Sequence, residues 1–185
     1  MARVKGSAVK SSVGFVKEKL GEEGFQRVIA AMGDEGTTLE GPILPSEWYD
    51  FSLLLRFMSA AQPHITLPPG RTLAWEMGRF SADYGLKTIY RVFFKVADAA
   101  FIIRKAPQVL SSYYDSGKMS VLASDPGSAA IRLVDFDQPD PRFCDRLLGW
   151  MERTLELSGA KAIRMEHPKC VARGDDSCDY VGRWS

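Results

Sequence analysis

The chain has 185 residues, 45% of them hydrophobic, and a formal net charge of +1, which is typical of one globular domain with a sizeable core. Basic and acidic residues are interspersed, and no stripe of Lys or Arg alternates with aromatics, which argues against a nucleic-acid-binding surface. No apolar run reaches the roughly 18 residues that a membrane span requires, and the N-terminus lacks a signal-peptide apolar core, so we expect a cytoplasmic protein.

The first third of the chain reads as helices separated by loops. Residues 1–9 are expected to be frayed, and residues 10–185 to form a single domain. Two short helices, ending at Gly21 and Gly33, carry apolar residues at helical spacing. A loop rich in glycine and proline follows, and Ser46 is the expected N-cap of a third helix.

Residues 71–105 are the most aromatic part of the chain. They predict a helix to about Tyr84, a break at Gly85 and a second helix from Leu86. The simplest interpretation is that these aromatic side chains form part of the core. The alternative is that six of them border an apolar cavity that binds a small hydrophobic ligand. These six candidates are Trp75, Phe80, Tyr84, Tyr90, Phe93 and Phe94.

After Lys118 the apolar period changes from that of a helix to that of a strand. The expected elements are two hairpin strands, a helix and two final strands, over 118–124, 129–136, 142–158, 160–168 and 177–184. The hairpin is expected to turn at Asp125-Pro126-Gly127. Because helices come first and strands later, the predicted fold class is α+β, with helices packed on an antiparallel sheet of about four strands.

All three cysteines lie in the tail, close to one of the two histidines. Helical spacing puts Cys144 on a buried face, and strand alternation puts His167 on a covered face with Glu166 opposite. A candidate set of metal ligands is Cys144, His167, Cys170 and Cys178, the donor types that zinc prefers in closed structural sites. The alternative is three buried apolar cysteines and a core histidine with satisfied hydrogen bonds.

A zinc ion held by four protein ligands has no free position for water, so the zinc would be structural rather than catalytic. It would join the C-terminal helix to the final hairpin. The sequence contains no nucleophile elbow, phosphate loop or dinucleotide fingerprint. These features favour a binding protein over an enzyme without deciding between them.

The tail also carries a pattern made of Cys170, the turn Gly174-Asp175, and Cys178-Asp179-Tyr180. This pattern resembles the C-terminal signature of the 4-vinyl reductase (4VR) domain family. The superfamily of that domain includes haem NO-binding domains and the TRAPP transport subunits. Phenol-sensing relatives carry zinc on a cysteine, an acidic residue and two more cysteines; the intervals here fit that arrangement, with His167 where those sensors have a glutamate.

The resemblance implies a zinc-stabilised sensory domain that binds a small hydrophobic or aromatic molecule and signals to a protein partner. Two alternatives are a reductase acting on a tetrapyrrole and a TRAPP-like assembly scaffold. A homodimer through the N-terminal helices is compatible with all three. Haem is not expected, because the Tyr-Ser-Arg signature of the haem-binding relatives is missing and His64 lies in a proline-rich loop.

Overall fold

The computed structural model describes residues 1–88 and 99–185, and these contain six α-helices and six β-strands. The helices are α1 (Gly6–Met32), α2 (Thr37–Glu40), α3 (Phe51–Ala61), α4 (Leu73–Thr88), α5 (Ala99–Tyr113) and α6 (Pro141–Leu157). The strands are β1 (Arg3–Lys5), β2 (Trp48–Asp50), β3 (Lys118–Asp125), β4 (Ser128–Val134), β5 (Arg164–Lys169) and β6 (Cys178–Arg183). In the described ranges, no helix has the length and apolar character needed to cross a bilayer.

The last four strands form one antiparallel sheet in the order β3-β4-β6-β5. This confirms the predicted α+β class and the predicted number of strands. Side chains alternate between the two faces, so that Ala129, Ile131 and Leu133 of β4 are buried against the helices. The predicted hairpin is also confirmed: Asp125 pairs with Ser128 across a tight turn.

The N-terminus differs from the sequence-based prediction. Residues 1–9 are not frayed, because Arg3–Lys5 pairs antiparallel with Trp48–Asp50 and the Val4 side chain is fully buried. The same pairing keeps the chain extended through Asp50, so α3 begins at Phe51 and not after Ser46. A partner more than forty residues away is invisible to local periodicity. Both errors therefore have one cause.

Two predicted helix breaks have different outcomes. At Gly21 the backbone leaves the helical region, with φ 69° and ψ −176°, so α1 consists of two helical segments that meet at a kink. At Gly85 the predicted break is wrong, since α4 continues to Thr88. Most of the second helix, predicted to begin at Leu86, lies outside the described residues.

Helices α4 and α6 cross at two glycines that face the opposite backbone. A Cβ atom at Gly149 of α6 would clash with the Trp75 carbonyl oxygen of α4. A Cβ atom at Gly78 of α4 would clash in the same way with the Arg146 carbonyl oxygen of α6. The two helices can approach this closely only because both positions lack a side chain.

Helix α6 begins with a side-chain cap. The Asp140 carboxylate accepts a hydrogen bond from the Arg142 backbone N–H at 2.9 Å, and Pro141 occupies the first helical position. Hydrogen bonding from Arg142 also holds the pKa of Asp140 below its ordinary value. The cap therefore fixes the start of the helix that carries Cys144.

Asp140→Ala is expected to lower the free energy of unfolding by about 1–2 kcal/mol, because the cap is lost. The folded-state pKa of Asp140 is lowered, so its contribution is present above the ordinary aspartate pKa and is lost as the pH falls through the folded value. Urea denaturation at neutral and acidic pH measures both effects. Asp137→Ala, which removes an exposed carboxylate near the amino terminus, is the control. Equal stability of the two variants at neutral pH contradicts the prediction.

Candidate metal centre and ligand cavity

The four predicted metal ligands converge in space. Cys144 lies in the first turn of α6, His167 lies on β5, Cys170 follows β5 directly and Cys178 begins β6. One donor atom of each residue lies within 4.8 Å of the other three, and the three cysteines are free and buried. The cluster could hold a metal ion.

The spacing of the sulfur atoms is informative about the kind of site. Cys144 Sγ lies 3.5 Å from Cys170 Sγ and 3.7 Å from Cys178 Sγ. Two sulfurs bound tetrahedrally to zinc at ~2.3 Å are about 3.8 Å apart, whereas a disulfide requires about 2.05 Å. Both separations from Cys144 Sγ are therefore close to that of two thiolates on one tetrahedral zinc ion.

Hydrogen bonds within the turn between β5 and β6 fix its shape and bring one backbone N–H group to the cluster. Asp175 Oδ2 accepts a hydrogen bond from the Cys170 N–H at 2.7 Å, and the Val171 N–H donates to Cys178 Sγ at 3.4 Å. Gly174 adopts a left-handed conformation with φ 99°, which confirms the turn predicted at Gly174-Asp175. An N–H donor favours the thiolate form of the sulfur that it contacts.

The imidazole of His167 has an unused donor atom at the same place. Its ring stacks on Tyr180 with the centroids 4.5 Å apart, and Nε2 is buried without a hydrogen-bond partner among the described residues. A buried nitrogen without a partner costs about 1–3 kcal/mol, which metal ligation would offset. Glu166 is exposed and pairs instead with Arg183, as strand alternation predicts.

The ionisation of the cysteines also suits a metal site. Hydrogen bonding with Cys144 lowers the pKa of Cys178 to about 4, and His167 and the Val171 N–H act in the same direction. The same interaction with Cys178, together with burial, raises the pKa of Cys144. Of these two cysteines, Cys178 therefore ionises more readily, and the thiolate is the form of cysteine that binds metals.

The aromatic ligand-binding candidates are separated in the structure. Trp75 is buried at the crossing of α4 and α6, Phe80 packs edge-on against Phe15, and Tyr84 is 36% exposed. Three further candidates lie outside the described residues: Tyr90, Phe93 and Phe94. The role of these six residues in binding a ligand stays a prediction.

Two apolar cavities lie between α5, α6 and neighbouring elements. The first has a volume of about 40 Å³ and includes Arg146 in its wall. The second has a volume of about 30 Å³ and lies against the sheet, with Ile131 and Tyr180 in its wall. Ala106 and Met151 border both cavities, as does Trp150. These shared side chains separate the two spaces.

Arg146 is the cavity residue that the sequence left unidentified. It lies one helical turn from Phe143 and from Trp150, so helical spacing could have put it on the apolar face. Charged residues are nevertheless expected in solvent unless they are paired. The structure places the Arg146 side chain inside, with 3% of its surface exposed.

No protein-family model matches this chain, and no curated protein matches it. The fold is that of the H-NOX proteins, which several solved structures share over nearly the whole chain. One is an H-NOX protein from S. oneidensis in the Fe(II)NO state, with a TM-score of 0.76, 15% identity and coverage of 98% of this chain and 99% of that one. Another is a mutant H-NOX protein from K. algicida in the Fe(II) unliganded state, with a TM-score of 0.70, 15% identity and coverage of 98% and 96%. A third is an oxygen-binding H-NOX domain related to soluble guanylate cyclases, with a TM-score of 0.71, 13% identity and coverage of 98% and 95%.

This comparison corrects the expectation about haem. The expectation that haem would not be bound rested on a missing Tyr-Ser-Arg signature, yet the chain folds like proteins solved in Fe(II) states. A similar structure is described through its haem redox potential and porphyrin distortion. At 13–15% identity a fold persists although individual motifs change, so a missing motif was insufficient ground for setting haem aside.

The described donor groups nevertheless differ from those of a histidine-bound haem. His64 is exposed in the turn Gln62–His64, and His167 lies at the cysteine cluster, so neither borders the two cavities. Groups able to bind iron there include the sulfur of Met119 and the hydroxyl of Tyr114. In the described part of the chain, neither histidine is therefore placed to bind the iron of a haem in these two cavities.

Proposed function

We propose that this chain is a small-molecule sensor domain whose ligand occupies the space between α5, α6 and the sheet. The observation that carries the proposal is the pair of adjoining cavities, which share Ala106, Trp150 and Met151 in their walls. Ligand sites are mostly apolar spaces with a few polar groups that fix orientation, and this space has that composition. The proposal treats the chain as a single domain that includes residues 1–9, because β1 pairs with β2.

We propose further that the cysteine cluster binds a structural zinc ion through Cys144, His167, Cys170 and Cys178. The sulfur separations and the unpartnered His167 nitrogen support this assignment. Four protein donors would leave no position for water, so the ion would hold α6 against the β5–β6 hairpin. The same tail supports kinship with the 4VR family within the wider superfamily.

Helix α6 links the two sites. Cys144 lies at its start, whereas Trp150 and Met151 lie in its second half at the cavities. A ligand that binds one position of α6 more tightly than another would shift the helix toward that position. The zinc would hold the N-terminal end of α6 in place. A protein partner in the cytoplasm, or a second copy of the chain, would respond to movement of the C-terminal part of the helix.

Filling the cavities tests the proposal. Ala106→Leu adds a larger side chain at a position that borders both spaces, so it is expected to weaken binding of hexanol or phenol at least about tenfold without unfolding the protein. Calorimetric titration measures the affinity. Ala100→Leu, on the same helix but outside the two cavity walls, is the control and should bind like the wild type. Absence of binding to the wild type, or equal binding to both variants, contradicts the proposal.

Hemin is a second probe in the same experiment, because similar structures are Fe(II) proteins. A Soret band that appears with the wild type and is lost in Ala106→Leu would identify haem as the occupant. A band of equal strength in both proteins would mean that haem binds elsewhere on the chain. Native mass spectrometry of the purified protein gives the zinc content and any small molecule retained during purification.

A further inference from the structure

Arg146 is a buried cation at the wall of the first cavity. Its guanidinium makes two long hydrogen bonds, from Nη2 to the Ala8 carbonyl oxygen at 3.3 Å and to Ser11 Oγ at 3.5 Å. Its Nη1 atom is buried without a hydrogen-bond partner, and no carboxylate within 1–88 or 99–185 forms an ion pair with it. The positive charge is therefore enclosed but not neutralised by the described residues.

The other arginines of α6 are arranged differently. Arg142 pairs with Asp140 at 2.6 Å, and Arg153 pairs with Asp83 at 3.0 Å. Burying a charge without a counter-ion is costly, and a guanidinium cannot escape that cost by losing its proton. A buried arginine without a counter-ion at a cavity wall is expected where a bound ligand supplies the negative charge.

Among the described residues, the polar groups that line this cavity beside Arg146 are hydroxyl groups, which carry no negative charge and can donate a hydrogen bond to an anion. Ser81 borders the cavity and lies 3.0 Å from Ser11, hydroxyl to hydroxyl. Burial raises the pKa of Tyr114, against the opposing effect of Arg146, so the phenol stays protonated and does not supply a negative charge. This end of the cavity thus offers an unpaired cation and hydroxyl groups.

The second cavity, in contrast to the first, has no charged side chain among the described residues of its wall. Its wall is made almost entirely of apolar groups, including Ile103 and Met165. Met151 stands between the two spaces, and a methionine side chain changes conformation readily. A ligand that spans both spaces would have an anionic head at Arg146 and an apolar body beyond Met151.

We propose that Arg146 binds the carboxylate of an aliphatic monocarboxylic acid, whose alkyl chain extends past Met151 into the second cavity. This inference rests on the proposed function and names the chemical class of its ligand. A guanidinium can donate two parallel hydrogen bonds to a carboxylate, which gives both affinity and orientation. Arg146 can still form these two bonds, because its Nη1 atom has no partner among the described residues and its Nη2 contacts are long.

Matched pairs of ligands test the assignment. Hexanoate and octanoate are titrated calorimetrically at pH 7 against hexanol and octanol, which have the same alkyl chains without the charge. The carboxylates are expected to bind the wild type about 10- to 100-fold more tightly than the alcohols, the range for a hydrogen-bonded charged group. In Arg146→Met this preference should disappear while the alcohols still bind, and in Arg146→Lys part of it should remain.

The variants are chosen so that folding does not obscure the result. Replacing an unpaired buried cation by methionine is expected to be neutral or stabilising, and thermal melting checks this. Arg153→Met, at an arginine of the same helix that is already paired with Asp83, should keep the carboxylate preference.

Binding of alcohols with no carboxylate preference, or a preference that survives Arg146→Met, overturns the inference but leaves the proposed function intact. Failure of all four ligands to bind overturns both. Tetrapyrroles also carry carboxylates on an apolar body, so hemin and its dimethyl ester form a further arm. Arg146-dependent binding of hemin without binding of the alkanoates would overturn the aliphatic ligand in favour of a tetrapyrrole.

Discussion

Cys178→Ser is expected to abolish stoichiometric zinc binding and to lower the melting temperature of the protein. Cys178 Sγ lies 3.7 Å from Cys144 Sγ and its pKa is lowered, so its loss removes one of the four proposed ligand atoms. Structural zinc contributes ~10–16 kcal/mol to the folding free energy of small peptides. If about 3 kcal/mol of stabilisation is lost here, the melting temperature falls by roughly 6–12 °C. Elemental analysis and calorimetric melting measure the two quantities.

Cys170→Ser should behave like Cys178→Ser, because its sulfur lies 3.5 Å from Cys144 Sγ. Glu166→Gln is the matched control: Glu166 is adjacent to His167 in sequence but points to the opposite side of β5, where it pairs with Arg183. Zinc content and melting temperature of that variant should equal those of the wild type. Stoichiometric zinc in Cys178→Ser would refute the ligand assignment.

Gly149→Ala is expected to destabilise the protein although alanine is the better helix former. The added methyl group would gain about 1 kcal/mol of helix propensity, but it would clash with the Trp75 carbonyl oxygen, a backbone atom that cannot rotate away. Separating two packed helices costs about 1–3 kcal/mol or more. We therefore expect a net loss of up to about 2 kcal/mol in the free energy of unfolding, measured by urea denaturation.

Gly14→Ala separates this effect from helix propensity. Gly14 lies inside α1, and a Cβ atom there would meet only the Phe80 ring at 3.6 Å, an ordinary contact. That variant should be as stable as the wild type or gain up to about 1 kcal/mol. Gly78→Ala should resemble Gly149→Ala, because it faces the Arg146 carbonyl oxygen. If Gly149→Ala were as stable as Gly14→Ala, the two helices would not be held by this close approach.

The superfamily resemblance was informative about the fold, but the haem expectation drawn from it was wrong. The tail pattern pointed to a superfamily that includes haem NO-binding domains, and the fold agrees with the H-NOX structures. The narrower 4VR kinship stays a proposal. The expectation about haem was wrong because it treated the absence of a short motif as a property of the whole fold.

Local periodicity determined much of the C-terminal half. Strand alternation predicted the hairpin of β3 and β4, and it put His167 and Glu166 on opposite sides of β5. Helical spacing put Cys144 on the buried face of α6. These features depend on which face of an element is apolar, and the order of residues along the chain records that directly.

Only the tertiary structure decided which distant segments cover those faces. The pairing of β1 with β2, the close crossing at Gly78 and Gly149, and the burial of Arg146 all require a partner far away in sequence. The residues next to an arginine in sequence do not show whether its side chain lies in water or in a cavity wall, because helices and strands far away in sequence form that wall. The sequence alone therefore identified the metal-ligand candidates, whereas the position of the cavity and the charge at its wall emerged only from the packing of the helices on the sheet.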